Sequence, residues 1–189
     1  MSKSMLHSIA TCVFLLSWSA VIAQSTDQAE HRSIGKELDV WVSKTEEQLV
    51  PAADAMPEEK YGFAPSADAG NFQGVRTFGE MVKHLSATNY ILASAVLGEK
   101  TPHGEQNETA PASLKSKAEI MEYLKGSFAL LHRAAASIEE SNETTTIKAF
   151  HSRTRPGLVV DSLLHCFNHY GQIVEYLRMN GIVPPASRP

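Results

Sequence analysis

The chain has 189 residues, 17 of them Lys or Arg and 21 Asp or Glu, for a formal net charge of −4. That mildly acidic balance excludes an electrostatic footprint for nucleic acid or for an anionic membrane surface. With only two cysteines, Cys12 and Cys166, it also excludes a disulfide-framed scaffold, so stability has to come from packing.

Lys3 precedes a mostly apolar run, residues 9–20, that contains Val13, Phe14, Leu15, Leu16 and Trp18. Val21-Ile22-Ala23 then has the small-residue pattern of a cleavage site before Gln24. The run is short for a membrane span, and a polar stretch over residues 24–33 follows it. Residues 1–23 are therefore expected to be a secretory signal peptide and residues 24–189 a single exported domain, periplasmic or secreted, with no stable membrane association after cleavage. Losing Lys3 from the 17 basic residues leaves 16 against 21 acidic ones, a net charge of −5, and Cys166 as the sole cysteine.

The mature segment reads as helices. Ile34, Leu38, Trp41, Thr45 and Leu49 recur every three or four residues, which predicts a first helix over 33–50. Pro51, Pro57, Gly62, Pro65, Gly70 and Gly74 then mark a long irregular connection. Thr77-Phe78-Gly79-Glu80 is a capping box, and it opens a second helix carrying Phe78, Met81, Leu85, Leu92 and Val96, ended by Gly98. A second capping box, Ser116-Lys117-Ala118-Glu119, opens a third helix with Ile120, Leu124, Phe128, Leu131 and Ile138 on one stripe. The fourth helix is expected from near Pro156 to Asn180, with Gly181 as a left-handed cap and Pro184-Pro185 preventing continuation. No segment alternates with period two. An all-α four-helix bundle is the expected fold.

His165 and His169 lie four residues apart on the fourth helix, so their Cβ atoms are about 6 Å apart on one face. Two such imidazoles can chelate one divalent ion if a third ligand joins them. The spacing alone leaves open a ligand pair or an ordinary solvated face. The expected apolar arc of this helix is Val160, Leu163, Phe167, Tyr170, Val174 and Leu177. The histidines share their side with Leu158, Asp161, Ser162, Gln172 and Tyr176, and no Lys or Arg is among them. A wide apolar arc has room for both the internal core and a partner subunit, leaving the histidine side to line a pocket. His84, two turns into the second helix, is the leading third ligand, and His132 a weaker one. His31, His103 and His151 fall in expected loops or termini. Cys166 projects about 100° from His165 and reads as a packing residue.

Three stretches carry a family resemblance: Phe78-Gly79-Glu80-Met81-Val82-Lys83-His84-Leu85; His165-x-x-x-His169-Tyr170-Gly171-Gln172; and Tyr176-Leu177-Arg178-x-Asn180-Gly181-Ile182-Val183-Pro184-Pro185. Together they resemble the DinB (DinB/YfiT-like) family over roughly residues 34–187, and Met56-Pro57-Glu58-Glu59-Lys60-Tyr61 adds to the likeness. The resemblance implies an up-and-down-type bundle with a long crossover, often dimeric, that holds a divalent metal on three histidines. Carried over by residue, these are His84, His165 and His169. It also implies metal-dependent transfer or isomerisation chemistry on low-molecular-weight thiols.

Three neutral imidazoles leave an ion its full double charge and an open position, as catalytic sites do, and zinc, nickel and iron(II) all accept imidazole. Asp161 and Gln172 are near enough on the helix to orient the rings. No glutamate lies between the histidines as in HExxH peptidases, so the motif supplies no general base. Two readings follow. One is a metal-dependent transferase or hydrolase acting on a small, thiol-type substrate; the other is a non-catalytic metal-binding or stress-related bundle.

Overall fold

A computed structural model describes residues 32–189, so the expected signal peptide and its cleavage point lie outside the described residues. Four helices carry the structure: α1 Ile34–Ala55, α2 Phe78–Leu97, α3 Lys117–Ala136 and α4 Arg155–Met179. Each begins on a hydroxyl side chain that accepts a hydrogen bond from an otherwise free backbone N–H: Ser33, Thr77, Ser116 and Thr154. Both expected capping boxes form in full, with Glu80 and Glu119 reaching back to the cap residue. After α4, Gly181 takes a φ of +73°, and Ile182 N–H donates to the Leu177 carbonyl at 2.9 Å, closing the helix with a Schellman turn.

The helices form a ring in the order α1, α3, α2, α4, in which each packs on its two neighbours and barely touches the helix across the ring. The first and third connections therefore cross the end of the bundle, and the second links neighbours. Phe78, Met81, Leu85, Leu124, Phe128, Leu131, Leu158, Ile173 and Leu177 fill the interior with no exposed surface to speak of. Asn89 is fully buried among them. Its carbonyl oxygen accepts from Ser162 Oγ at 2.6 Å and Cys166 Sγ at 3.3 Å, and its amide donates to Ser127 Oγ at 3.3 Å. This one side chain ties α2 to α3 and α4, with its polar atoms satisfied as burial requires.

Three expectations differ from what forms. α1 does not stop before Pro51 but continues through it for another turn. Ala52, Ala53 and Met56 are fully buried there, and Tyr61 donates its hydroxyl to the Ala53 carbonyl at 2.9 Å, so packing and a tertiary cap outweigh the lost helical hydrogen bond. The inward face of α4 is also rotated from the expected apolar arc. Leu158, Val159, Ser162, Leu163, Cys166, His169, Ile173, Tyr176 and Leu177 are buried, whereas Val160 and Phe167 are each 40% exposed. Ser162 and Cys166 turn inward to Asn89, which a hydropathy stripe cannot register. Finally, the third connection contains a small antiparallel hairpin, β1 (Thr146–Ile147) with β2 (Arg153–Thr154), too short to leave a period-two signature.

Candidate metal centre

α2 and α4 are neighbours in the ring, and their contact brings His84 against His165 and His169. His165 Nε2 lies 3.1 Å from His84 Nε2 and 3.2 Å from His169 Nε2, and one ligand nitrogen from each ring falls within 4.8 Å of the other two. The rings stand edge to face, with centroids 4.5–5.0 Å apart. His84 and His169 are only 7% and 6% exposed, and His165 is half-buried. The sequence-expected site residues are thus assembled by the fold. The histidine face is the edge of the interior, not a solvated stripe.

The electrostatics keep these rings neutral. Burial, and then the neighbouring histidines and Arg76, push His165 and His169 down to about 4. His84 is lowered too, mainly by burial, and its hydrogen bond to Glu108 works the other way. Gln172 flanks His169 and partly offsets its shift, while its amide nitrogen donates to the Asn168 carbonyl at 3.5 Å. At neutral pH all three rings therefore present lone pairs and no charge.

One tautomer is set from outside the helices. His84 Nδ1–H donates to the backbone carbonyl of Glu108 at 3.2 Å, which leaves its Nε2 as a bare acceptor aimed at the other two rings. Protons cannot satisfy all three converging nitrogens. A proton on His165 Nε2 can point at His84 or at His169, and without it two lone pairs face each other. A cation satisfies all three at once. The spacing agrees, because nitrogens about 2.1 Å from one ion are roughly 3.0–3.4 Å apart at angles between 90° and tetrahedral. The Nδ1 atoms of His165 and His169 are buried and lack a protein partner among the described residues. Asp161, expected to orient one of these rings, instead pairs with Arg153.

Glu108 went unrecognised in the sequence because it lies in the α2–α3 connection, with no periodicity to flag it. Asn107 and Glu108 adopt left-handed backbone, φ +50° and +58°, an uncommon conformation for residues with side chains. That turn delivers the Glu108 carbonyl to His84 Nδ1, and its carboxylate oxygen reaches within 3.7 Å of His84 Nε2. Two cavities meet at this residue. One of about 360 Å³ is lined by Arg76, Lys83, His84 and Glu108; the other, about 510 Å³, by Leu92, Phe150, Glu108 and His165.

The other candidates lie elsewhere. His132 faces α1, where its ring nitrogens meet Asp39 and Glu46. Cys166 is fully buried, and burial pushes its thiol up to about 12, so it packs as expected. His103 and His151 are exposed. His31 lies outside the described residues.

The model of the DinB superfamily matches residues 42–173 of this sequence, a span that includes all three histidines. No curated protein matches the chain. With most of its length inside that match, the chain belongs to the DinB superfamily.

Proposed function

We propose that this DinB-superfamily chain is an exported metal-dependent enzyme, a transferase or hydrolase, that holds one divalent ion on His84, His165 and His169. The observation carrying this reading is the convergence of three neutral, largely buried imidazole nitrogens at 3.1 and 3.2 Å, an arrangement protons cannot satisfy and a cation can. An ion bound by three neutral ligands supplies Lewis acidity with a position to spare, favouring deprotonation of a small nucleophile such as a thiol or water near neutral pH.

The chain's own residues do the rest. Glu108 fixes the His84 tautomer through its carbonyl and holds a carboxylate 3.7 Å from His84 Nε2, placed to take a proton leaving the nucleophile. Arg76 and Lys83 suit an anionic group on the substrate, and Leu92 and Phe150 wall off the apolar side. Cavities of 360 and 510 Å³ flanking the histidines leave room for a small molecule beside the ion, which favours catalysis over storage of the ion. Zinc, nickel and iron(II) all fit the donor set.

The mature protein begins near Gln24 after export. No helix among the described residues is long and apolar enough to cross a membrane. The face formed by Ile34, Trp41, Val160, Leu164 and Phe167 is exposed and apolar, and we take it as the surface on which a second copy of the chain would pair.

Elemental analysis of natively purified protein tests the centre. One equivalent of a transition metal is expected, with loss of most of it in His84→Ala and His169→Ala. Unchanged metal content in both variants would refute the site. N-terminal sequencing of secreted material should start at or near Gln24, and an intact Met1 on a cytosolic product would refute export.

A further inference from the structure

A third cavity, of about 530 Å³, lies between α2, α3 and the connection that joins them. None of the metal-centre histidines lines it. Its walls include the rings of Tyr90, His103 and Tyr123, with Glu119 and Glu122 beside them, and no Lys or Arg. The rings cluster with centroids 4.9–5.4 Å apart.

Behind them sits Glu105, a carboxylate only 5% exposed. One of its oxygens accepts from the Tyr123 hydroxyl at 2.8 Å and the other from His103 N–H at 3.1 Å. Both donors are neutral, and Glu105 forms no ion pair among the described residues. A buried carboxylate held only by neutral donors leaves its negative potential on the aromatic wall.

Tyr90 is 5% exposed as a residue, and its hydroxyl, which makes no hydrogen bond to another described residue, keeps its access to solvent at the cavity. It reaches into space that only a glycine on α3 leaves open, since a Cβ at Gly126 would lie 2.3 Å from this oxygen. Burial, reinforced by the charges of Glu105 and Glu122, pushes this phenol up to about 12, so it stays protonated and neutral. A solvent-facing hydroxyl with no protein partner, π faces, and carboxylates with no Lys or Arg among the lining residues suit one ligand chemistry.

We propose that this cavity is a binding site for a small protonated alkylamine, its ammonium group lying against the rings of Tyr90, His103 and Tyr123 and donating an N–H to the Tyr90 hydroxyl oxygen. Glu122, exposed at the rim, adds attraction that salt screens. The site is separate from the histidine centre and stands whether or not that centre binds metal.

Titration of the full mature chain with butylammonium, followed by NMR of the aromatic ring resonances, tests this. Saturable shifts centred on Tyr90, His103 and Tyr123 are expected. Butanol, of similar shape but uncharged, should give none at the same concentration, and tetramethylammonium, which has no N–H, should bind more weakly. Tyr90→Phe keeps the ring and removes only the oxygen, and should weaken binding about tenfold. Glu122→Gln should weaken it severalfold and flatten its salt dependence. Gly126→Ala should abolish it. Thermal melts check that each variant is folded, and if Gly126→Ala is not, Tyr90→Phe decides alone. Absence of saturable shifts at these rings, equal binding of butanol, or wild-type affinity in Tyr90→Phe would each overturn the proposal.

Discussion

Glu108 acts on the centre by position. Its backbone carbonyl accepts a hydrogen bond from His84 Nδ1–H, and that single bond decides which nitrogen faces the other two rings. Glu108→Ala keeps the carbonyl but removes the carboxylate 3.7 Å from His84 Nε2 and loosens a turn already in left-handed backbone. Metal affinity, read by competition with a chromophoric chelator, should fall about 10–100-fold, the range found when groups supporting metal ligands are lost. Affinity equal to wild type would remove Glu108 from the centre. Asn89 plays the comparable part in the core. Asn89→Ala leaves the buried Ser127 and Ser162 hydroxyls short of a partner, and urea unfolding should show a loss of about 1–3 kcal/mol.

Among the elements, α1 and α2 show how local signals and packing divide the work. The Thr77 box on α2 operates as its sequence states, because cap, glutamate and helix start are all within four residues. Thr77→Ala should cost about 1 kcal/mol. Pro51 is the opposite case. Its ring breaks the helical hydrogen-bond ladder, which reads locally as a stop, yet α1 passes through because Ala52, Ala53 and Met56 find a buried seat beyond it. The residue itself is exposed, so Pro51→Ala restores the missing N–H without disturbing the core. It should raise stability by about 1 kcal/mol or more. A destabilised variant would show that the helix needs the proline's geometry there.

For the whole molecule, two sets of histidines bias stability in opposite directions with pH. His165 and His169, lowered to about 4 by burial, are harder to protonate folded than unfolded. Between about 6.5 and 4 the unfolded chain takes up more protons, so metal-free protein should lose melting temperature as pH falls through that window. His132 is opposed by burial but raised overall by its hydrogen bonds to Asp39 and Glu46. Its contribution is complete below about 6.5 and disappears as pH rises through its raised folded value. His132→Gln should therefore flatten the alkaline side of the stability profile and leave the acid side intact. Assembly is read at the same scale. Leu164 is 64% exposed in the middle of the apolar face of α4, and Leu164→Glu should convert a dimer to a monomer in sedimentation analysis without lowering the melting temperature of the subunit. A wild-type chain that sediments as a monomer would refute the pairing.

The helices, the two capping boxes, the glycine ends of α2 and α4 and the i,i+4 histidine pair were legible in the amino-acid sequence because each is specified by residues within a turn or two of one another. So was the family, through motifs that follow the C-terminal helix residue by residue. The side of α4 that faces inward was decided in three dimensions. Ser162 and Cys166 are buried only because Asn89 meets them, and a single-helix hydropathy pattern contains no trace of a partner 73 or 77 positions away. The same holds for Glu108, whose value to His84 depends on a loop conformation and on an approach across 24 residues of chain. Short-range preferences write secondary structure into the sequence. The centre itself exists only where α2, α4 and that loop converge.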